Sequence, residues 1–279
     1  MTTDPRGADA VLDDIDARPG STASLLRTVV GLFLRPLGGW ISTADLVTLS
    51  EDLGIPTAQA RTGITRLKQK GLLLAERDGV AGYRLNPAAA RMLERGDRRI
   101  FEMREMHDDD PWCLVSFSIP ESARSVRHRL RTRLQWIGAG IVSPALWICP
   151  GHLQDEVAQI VDELDARAWV TLFQASTPQT ALPLVDAAAT WWDLDALRAE
   201  HRAFQESLAT LPAEPFAAYV QLIDSWRVLP YVDPGLPPTM LPADWPGRRS
   251  FDEFARLSAA LEGPALAHVR AVAVTPRRA

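Results

Sequence analysis

The sequence contains little cysteine and no long apolar run. Only Cys113 and Cys149 occur among its 279 residues, and no cysteines or histidines share the close spacing of a zinc site. Both cysteines lie in apolar, strand-like segments, so we expect buried thiols. No apolar run approaches a membrane span, and the polar N-terminus lacks the basic start and apolar core of a signal peptide. We therefore expect a cytoplasmic protein.

Lysine is almost absent as well, since Lys68 and Lys70 are the only two and every other cation is arginine. The net charge of -5 does not suggest a protein that coats nucleic acid, but the charge is unevenly distributed. Bases outnumber acids in the segment 21–85, whereas acids outnumber bases from residue 174 onward. A basic N-terminal module on an acidic body is typical of a DNA-binding protein with a separate regulatory part.

The basic stretch at 57–70, TAQARTGITRLKQK, predicts an amphipathic helix with a cap at Thr57. Ala60, Ile64 and Leu67 form its apolar stripe, and Gly63 beside them would let a neighbouring helix cross closely. Its polar face carries side chains suited to base edges and phosphates, namely Gln59, Arg61, Thr62, Thr65, Arg66, Lys68 and Lys70, together with Thr57 at the start. An ordinary solvated face would explain the same pattern, so the flanking segments decide between the two interpretations.

Two helices are predicted before this stretch, at 22–34 and 42–53, and a hairpin follows it at 72–85 with its turn at Asp78-Gly79. Helix, helix, basic helix and hairpin is the order of a winged helix-turn-helix, which we predict for residues 21–86. Arg77, Tyr83 and Arg84 are expected at the tip of the wing, near phosphate or the minor groove. The alternative is a small α+β module that does not bind DNA.

The remaining chain predicts further domains and an α+β fold class overall. Residues 1–20 have the composition of a disordered tail, and 87–110 form a linker helix with an acidic end, which fits a solvated linker better than a metal site. Residues 111–174 alternate as β-α-β-β-α-β, the ferredoxin-like order. We expect its first and third strands to be parallel neighbours, with Cys113 and Cys149 at opposite ends and unbridged. Residues 175–279 are predicted to be mainly helical, with a long helix at 188–208 and a last helix from Ser250 to about Leu261.

Two sets of residues are candidates for a ligand site. Arg124, Arg127 and Arg131 belong to an arginine-rich helix in the middle segment, which would bind phosphates of DNA or of a ligand, or simply be solvated. Aromatic residues gather in the C-terminal part beside a proline-rich loop, and they either line a pocket or fill a small core. The candidates among them are Trp191, Trp226 and Trp245.

Four segments together resemble the PaaX family of bacterial transcriptional repressors over about residues 21–272. They read SLLRTVVGLFL, ARTGITRLKQKGLL, WCLVSFSIPESARSVRHRLRTRLQWIGAGIVSPALWICP and WRVLPYVDPGLPP followed by LPADWPG. The resemblance implies a homodimer whose winged helices bind a palindromic DNA operator. It also implies release by an acyl-CoA thioester, phenylacetyl-CoA in the founding members, with no bound cofactor or metal.

The middle segment is similar to the ferredoxin-like domain of Cas2 nucleases, and this resemblance bears on catalysis. Those enzymes hold a metal through an aspartate at the end of the first strand, where this sequence has Ser118. The difference implies no catalytic residue and no enzyme. Two other functions remain open: a Cas2-like metal-dependent nuclease, and a regulator that responds to a different metabolite.

Overall fold

The computed structural model describes residues 18–102 and 104–273. Of the tail expected at residues 1–20, residues 1–17 therefore lie outside the described residues. The chain divides into two compact units that do not follow its linear order. Unit 1 contains the N-terminal part up to Phe101, the segment Phe204–Arg227 and the C-terminal part from Asp252. Unit 2 contains Glu102–Ala203 and Val228–Phe251.

The N-terminal part of unit 1 is a winged helix. Its elements are α1 (Thr22–Phe33), β1 (Trp40–Ser42), α2 (Thr43–Asp52), α3 (Thr57–Gln69), β2 (Leu73–Asp78) and β3 (Val80–Leu85). The strands form an antiparallel sheet in the order β1-β3-β2. A one-turn helix at Pro87–Ala89 leads into α4 (Ala90–Phe101), the predicted linker helix.

Short polar caps and an apolar stripe explain where the first two helices begin. The Ser21 hydroxyl accepts from the backbone amide of Ser24 at 3.3 Å, and the Ser42 hydroxyl from that of Asp45 at 2.9 Å. Such caps satisfy amides that the first turn leaves unpaired. The inner face of α1 is completely buried, with Leu26, Val29 and Val30 at 0% exposure, so its packing holds the winged helix together.

The middle segment has the ferredoxin-like order, as predicted. It comprises β4 (Trp112–Phe117), α5 (Arg124–Trp136), β5 (Gly140–Ser143), β6 (Leu146–Pro150), α6 (Gln154–Glu163) and β7 (Val170–Ala175). The strand order is β5-β6-β4-β7, and every neighbouring pair is antiparallel. Side chains of one sheet face, including Val115 and Trp147, form a core with Leu130, Leu134 and Val157 of the two helices.

The prediction of parallel first and third strands is wrong. The hairpin between β5 and β6 reverses the chain, so β6 runs against β4. Cys113 consequently lies directly opposite Cys149 instead of at the other end of the sheet. The burial of both thiols is confirmed, because each has 0% exposure.

The C-terminal part is mainly helical, as predicted. It comprises α7 (Leu184–Trp191), α8 (Leu194–Leu208), α9 (Pro215–Trp226), α10 (Leu229–Val232) and α11 (Gly247–Val272). The single helix expected at 188–208 is interrupted at Trp192, whose backbone is extended. The last helix was expected to run from Ser250 to about Leu261, but it is longer at both ends and passes through Pro264.

A buried stripe explains why α11 continues beyond Pro264. Phe254, Ser258, Ala265 and Val269 are all buried and recur at intervals of four and seven residues, so one face stays in the core along the whole helix. Proline removes one backbone donor from a helix, a local cost that the packing on both sides offsets.

Candidate nucleic-acid interface

Helix α3 lies on the winged helix with one face buried and the other in solvent. Ala60, Gly63, Ile64 and Leu67 form the buried face, which confirms the predicted stripe. A β-carbon at Gly63 would collide with the Leu26 side chain, so the glycine does allow a close helix crossing. The helix ends before Gly71, whose φ of 77° is the left-handed geometry of a helix C-terminus.

The predicted cap at Thr57 is wrong. Pro56 occupies the capping position and provides no side-chain hydrogen bond to the helix. The Thr57 hydroxyl instead donates to Glu51 Oε1 at 2.5 Å. An exposed carboxylate at the end of α2 competes for the hydroxyl, and sequence spacing alone does not reveal this contact.

All the polar residues predicted on α3 are exposed, from Thr57 to Lys70. Successive residues of an α-helix are separated by about 100°, which places Ala58, Thr62, Thr65 and Gln69 along the centre of the exposed face. Arg61 and Arg66 fall on its two flanks. The sequence spacing already places Gln69 on the polar side of the helix, and its central position makes it a candidate contact in addition to the predicted DNA-binding residues.

Hydrogen bonds already engage some of these side chains. The hydroxyls of Thr62 and Thr65 donate to the carbonyls of Ala58 and Arg61, each at 2.9 Å. Their donors are thereby used within the helix, while their oxygens and methyl groups still face solvent. Gln59 accepts from the Thr22 hydroxyl at 3.3 Å, so its amide oxygen is directed toward α1.

The cations of α3 are largely available to a ligand. Arg61, Arg66 and Lys68 are exposed, and none of the three forms an ion pair with any other described residue. Each can therefore approach a phosphate or a base edge without first losing a carboxylate partner.

The wing places its three predicted residues differently. Arg77 lies beside the turn, where Asp78 pairs with Val80. Tyr83 sits in the middle of the sheet opposite Ala75 and is half-buried, so it is not at the tip.

Arg84 is also away from the tip, because it pairs with Leu74 near the base of the hairpin. Its guanidinium forms an ion pair with Glu76, which raises the pKa of Arg84 and lowers that of Glu76 through their hydrogen bonds. Alternation along the strand puts Arg84 and Arg77 on opposite faces of the hairpin. Of the predicted wing residues, only Arg77 has the position expected for a DNA contact.

The arginines of α5 are engaged to different degrees. Arg127 donates to Glu121 at 2.7 Å, and the Arg131 guanidinium lies 5.9 Å from the centre of the Trp147 ring. Arg124 is exposed and has no ion-pair partner in the described part of the chain. Arg133, on the inner face of the helix, is 5% exposed and bound to Glu163 at 2.8 Å.

Each of the three candidate tryptophans packs in the core of its own unit, so neither unit brings all three together in one site. Trp226 of unit 1 is 2% exposed, stacks on Phe254 with ring centres 4.7 Å apart, and donates to the Ile100 carbonyl. Trp191 and Trp245 are half-buried in unit 2 against an apolar cluster. Of the two alternatives left by the sequence, this geometry favours core packing.

Ser118 follows β4, and its backbone amide donates to the carbonyl of Trp169 at 2.9 Å. Among the residues described, no group of three or more His, Cys, Asp or Glu side chains is arranged to hold a metal ion. The same part of the chain contains no helix that is both long enough and apolar enough to span a membrane.

Three family models match the sequence in succession. They are described as PaaX-like protein at residues 21–89, PaaX protein central Cas2-like domain at 105–184, and PaaX-like protein C-terminal domain at 192–271. The chain is 28% identical over 252 residues to the transcriptional repressor PaaX of Escherichia coli (strain K12), covering 84% of this chain and 78% of that protein.

A solved structure is also similar, that of the uncharacterized protein Rv0674 from Mycobacterium tuberculosis. It has a TM-score of 0.56 and 25% sequence identity, covering 86% of this chain and 97% of that one. The three family models thus follow one another in the same order as the winged helix, the ferredoxin-like domain and the helical C-terminal part described above.

Proposed function

This chain belongs to the PaaX family, and on that basis we propose that it is a transcriptional repressor that binds operator DNA through α3. The relative from Escherichia coli carries the name of a transcriptional repressor. The observation that carries the proposal for this chain is the exposed face of α3, with three cations that have no carboxylate partner among the described residues.

Each part of that face has a role in the proposal. Thr62, Thr65 and Gln69 lie along its centre and meet base edges, while Arg61 and Arg66 on the flanks reach guanine or the nearest phosphates. The remaining members, Thr57, Gln59, Lys68, Lys70 and Arg77 of the wing, contact the DNA backbone. Tyr83 and Arg84 have secondary roles, since one is half-buried and the other is paired with Glu76.

The protein acts as a homodimer on a palindromic operator, and an acyl-CoA thioester such as phenylacetyl-CoA releases it. Arg124 and Arg131 of α5 are the candidates for binding the phosphates of the thioester, with Arg127 held by Glu121 beside them. The thioester must prefer a conformation in which the recognition helices no longer match the two half-sites, because a ligand shifts a population only through differential affinity. The proposal includes no catalytic step, no metal and a cytoplasmic location.

The test is binding of the purified protein to labelled DNA from its own upstream region, with phenylacetyl-CoA titrated in. We expect tight, salt-sensitive binding that the thioester abolishes, whereas coenzyme A and phenylacetate added separately should have little effect. Binding that survives the thioester would retain the repressor and exclude this effector, directing the search to other metabolites. No specific binding at low salt to any fragment in a genome-wide selection would refute the repressor.

Paired variants distinguish the operator contact from the effector site. Arg124→Gln combined with Arg131→Gln should retain operator binding and require more thioester for release. Arg256→Gln, which neutralises an exposed arginine on α11, is the matched control and should leave both measurements unchanged. Equal thioester sensitivity in the native protein, the double variant and the control would show that the effector does not bind at α5.

A further inference from the structure

Unit 1 contains a cavity of about 240 Å³ that no part of the proposed function uses. Residues from four helices line it: Leu32 and Phe33 of α1, Phe101 of α4, Tyr219 of α9 and Leu266 of α11. A cavity of about 150 Å³ is already large enough to hold benzene. This one therefore has room for a ring or an alkyl chain together with a short polar extension.

The floor of the cavity is apolar and partly aromatic. Phe33 is 2% exposed and Tyr219 is 3% exposed, whereas Phe101 is 37% exposed and ranks among the most exposed large apolar side chains of the described chain. A ligand seated over Phe101 would remove that ring from water, and the burial of apolar surface favours binding. The shape and the exposed ring both suit an apolar group.

The polar groups at the cavity carry a net negative charge. Arg35 is the one cation among the lining residues that the structure describes, and both of its terminal nitrogens donate to Asp97, at 2.5 and 2.9 Å. Glu262 is exposed and forms no hydrogen bond or ion pair with another described residue.

The phenol of Tyr219 lies in the field of the same two carboxylates. The pKa of the Tyr219 phenol is raised to about 12, mainly by burial; its hydrogen bond with Ser258 lowers the pKa, and the charges of Glu262 and Asp97 add to the rise. The phenol is therefore neutral near pH 7, and the carboxylates make the potential at this point negative. A cation is the ligand charge that such a site attracts.

We propose that this cavity binds a small apolar amine, an aryl or alkyl group that lies over Phe101 and carries a protonated amino group held by Glu262. This inference goes beyond the proposed function. Acyl-CoA thioesters are anionic and much larger, so they fit neither the charge nor the volume of the cavity.

The cavity also shares helix α1 with the candidate DNA-binding surface. Leu32 and Phe33, at the C-terminal end of α1, line the cavity. Thr22 and Leu26, toward the N-terminal end of α1, contact α3. A ligand in the cavity and the recognition helix thus contact the same rigid element of unit 1.

The experiment is a titration of the full chain, without DNA, by ligand-detected NMR and calorimetry. The probes are 3-phenylpropylamine, its neutral analogue 3-phenylpropan-1-ol, and its anionic analogue 3-phenylpropanoate. For a ligand of this size we expect a Kd for the amine of about 0.1–1 mM. The alcohol should bind about threefold to fivefold more weakly, because an exposed ion pair contributes little, and the acid should not bind detectably.

Two variants locate the site. Glu262→Gln should reduce amine affinity to that of the alcohol, while Glu206→Gln, an exposed glutamate of unit 1 outside the cavity, should not change it. Leu266→Phe fills the cavity and should abolish binding of all probes, with circular dichroism showing that the fold is retained.

Several results would overturn the inference. Equal affinities for the amine and the alcohol would remove the amine class. Undiminished binding to Leu266→Phe would place the ligand elsewhere, and no binding of any probe would leave the cavity without a ligand of this kind. Because no DNA is present, these outcomes are separate from success or failure of the repressor proposal.

Discussion

The side chain of Leu26 occupies the space that a β-carbon on Gly63 would need, so α1 and the candidate recognition helix α3 cross in close contact. Leu26 is 0% exposed and Gly63 is buried, which leaves the leucine little freedom to move away. The position of α3 on the winged helix therefore depends on a missing side chain.

We expect Gly63→Val to lower the free energy of unfolding by about 1–3 kcal/mol, since an overpacked core is strained. Gly63→Ala should cost less, because alanine gains up to about 1 kcal/mol of helix propensity over glycine. Urea denaturation measures both. A double-mutant cycle is the control: Leu26→Ala should cost less in the Gly63→Val background than alone. Additive effects would show that the two side chains do not compete for space.

A buried carboxylate joins α9 to α1 across about 200 residues of sequence. Asp224 is 0% exposed and accepts from Ser24, from the Thr28 hydroxyl at 3.1 Å and from Arg227 at 3.1 Å. We expect Asp224→Ala to lower the free energy of unfolding by about 3–5 kcal/mol, because the buried Arg227 guanidinium would lose its carboxylate. A thermal or urea unfolding curve would measure this loss.

The matched control for that carboxylate is Glu206→Ala, an exposed acid of the same unit, which should change stability by less than about 0.5 kcal/mol. Asp224→Asn should fall between the two variants, since an amide retains part of the hydrogen bonding. A loss below about 1 kcal/mol for Asp224→Ala would mean that water replaces the carboxylate easily.

The unpaired arginine on α3 and the paired arginine on the wing should differ in their effect on operator binding. Arg66→Ala should weaken operator affinity by about 1–3 kcal/mol if Arg66 contacts guanine. Arg84→Ala should have a smaller effect, because Glu76 already holds that side chain. Fluorescence anisotropy with operator DNA would measure both affinities. Equal losses would assign Arg84 a contact that its position does not suggest.

Lys68 separates backbone contacts from base contacts. Lys68→Gln should weaken binding to operator and unrelated DNA by similar factors and reduce the slope of log affinity against log salt by about 1. The slopes come from repeating the anisotropy titration at several salt concentrations. Loss of operator binding alone, with an unchanged slope, would indicate a base contact instead.

Tyr219 predicts a loss of stability at high pH. Its pKa is raised from 10.0 to about 12 in the folded protein, mainly by burial. Between these values the unfolded chain binds fewer protons than the folded one, so the free energy of unfolding falls as pH rises. In Tyr219→Phe, the free energy of unfolding should fall by about 1–2 kcal/mol less over this pH range than in the native protein. Urea denaturation at several pH values from 8 to 12 makes the comparison, and identical pH profiles would contradict it.

The cysteine pair predicts a specific oxidation product. Directly opposed residues of antiparallel strands have Cα atoms about 4.5–5.5 Å apart, within the range that a disulfide spans. Cys149 also lowers the pKa of Cys113 through a hydrogen bond, although burial opposes this shift. Diamide should therefore yield a monomer with one internal disulfide, formed slowly because both thiols are buried. Mass spectrometry identifies the product, and Cys149→Ser is the control; a disulfide-linked dimer from the native sequence would contradict the prediction.

Local periodicity was enough to predict several elements and their buried faces. Ala60, Ile64 and Leu67 are spaced for one side of a helix, and Asp78-Gly79 marks the turn of the hairpin, both as found. The exposed face of α3 follows from the same residue spacing. Burial repeats with the period of the helix or strand, so such features can be read from residues close together in sequence.

Other features depended on contacts between distant segments, and the sequence pattern did not reveal them. The antiparallel pairing that places Cys113 opposite Cys149 results from the strand order of a whole sheet. Asp224 contacts Ser24 and Thr28 only because two segments that are distant in sequence fold together in unit 1.

By itself, the sequence determined the order of elements, the α+β class and the basic face of α3, because each of these is written in short-range spacing and composition. Only the tertiary structure decided which cations remain unpaired, which carboxylate is buried and where helices leave a cavity. The physical reason is that a charge or a polar group is stabilised by whatever surrounds it in space. Those neighbours come from segments that are not spaced at any regular interval along the chain.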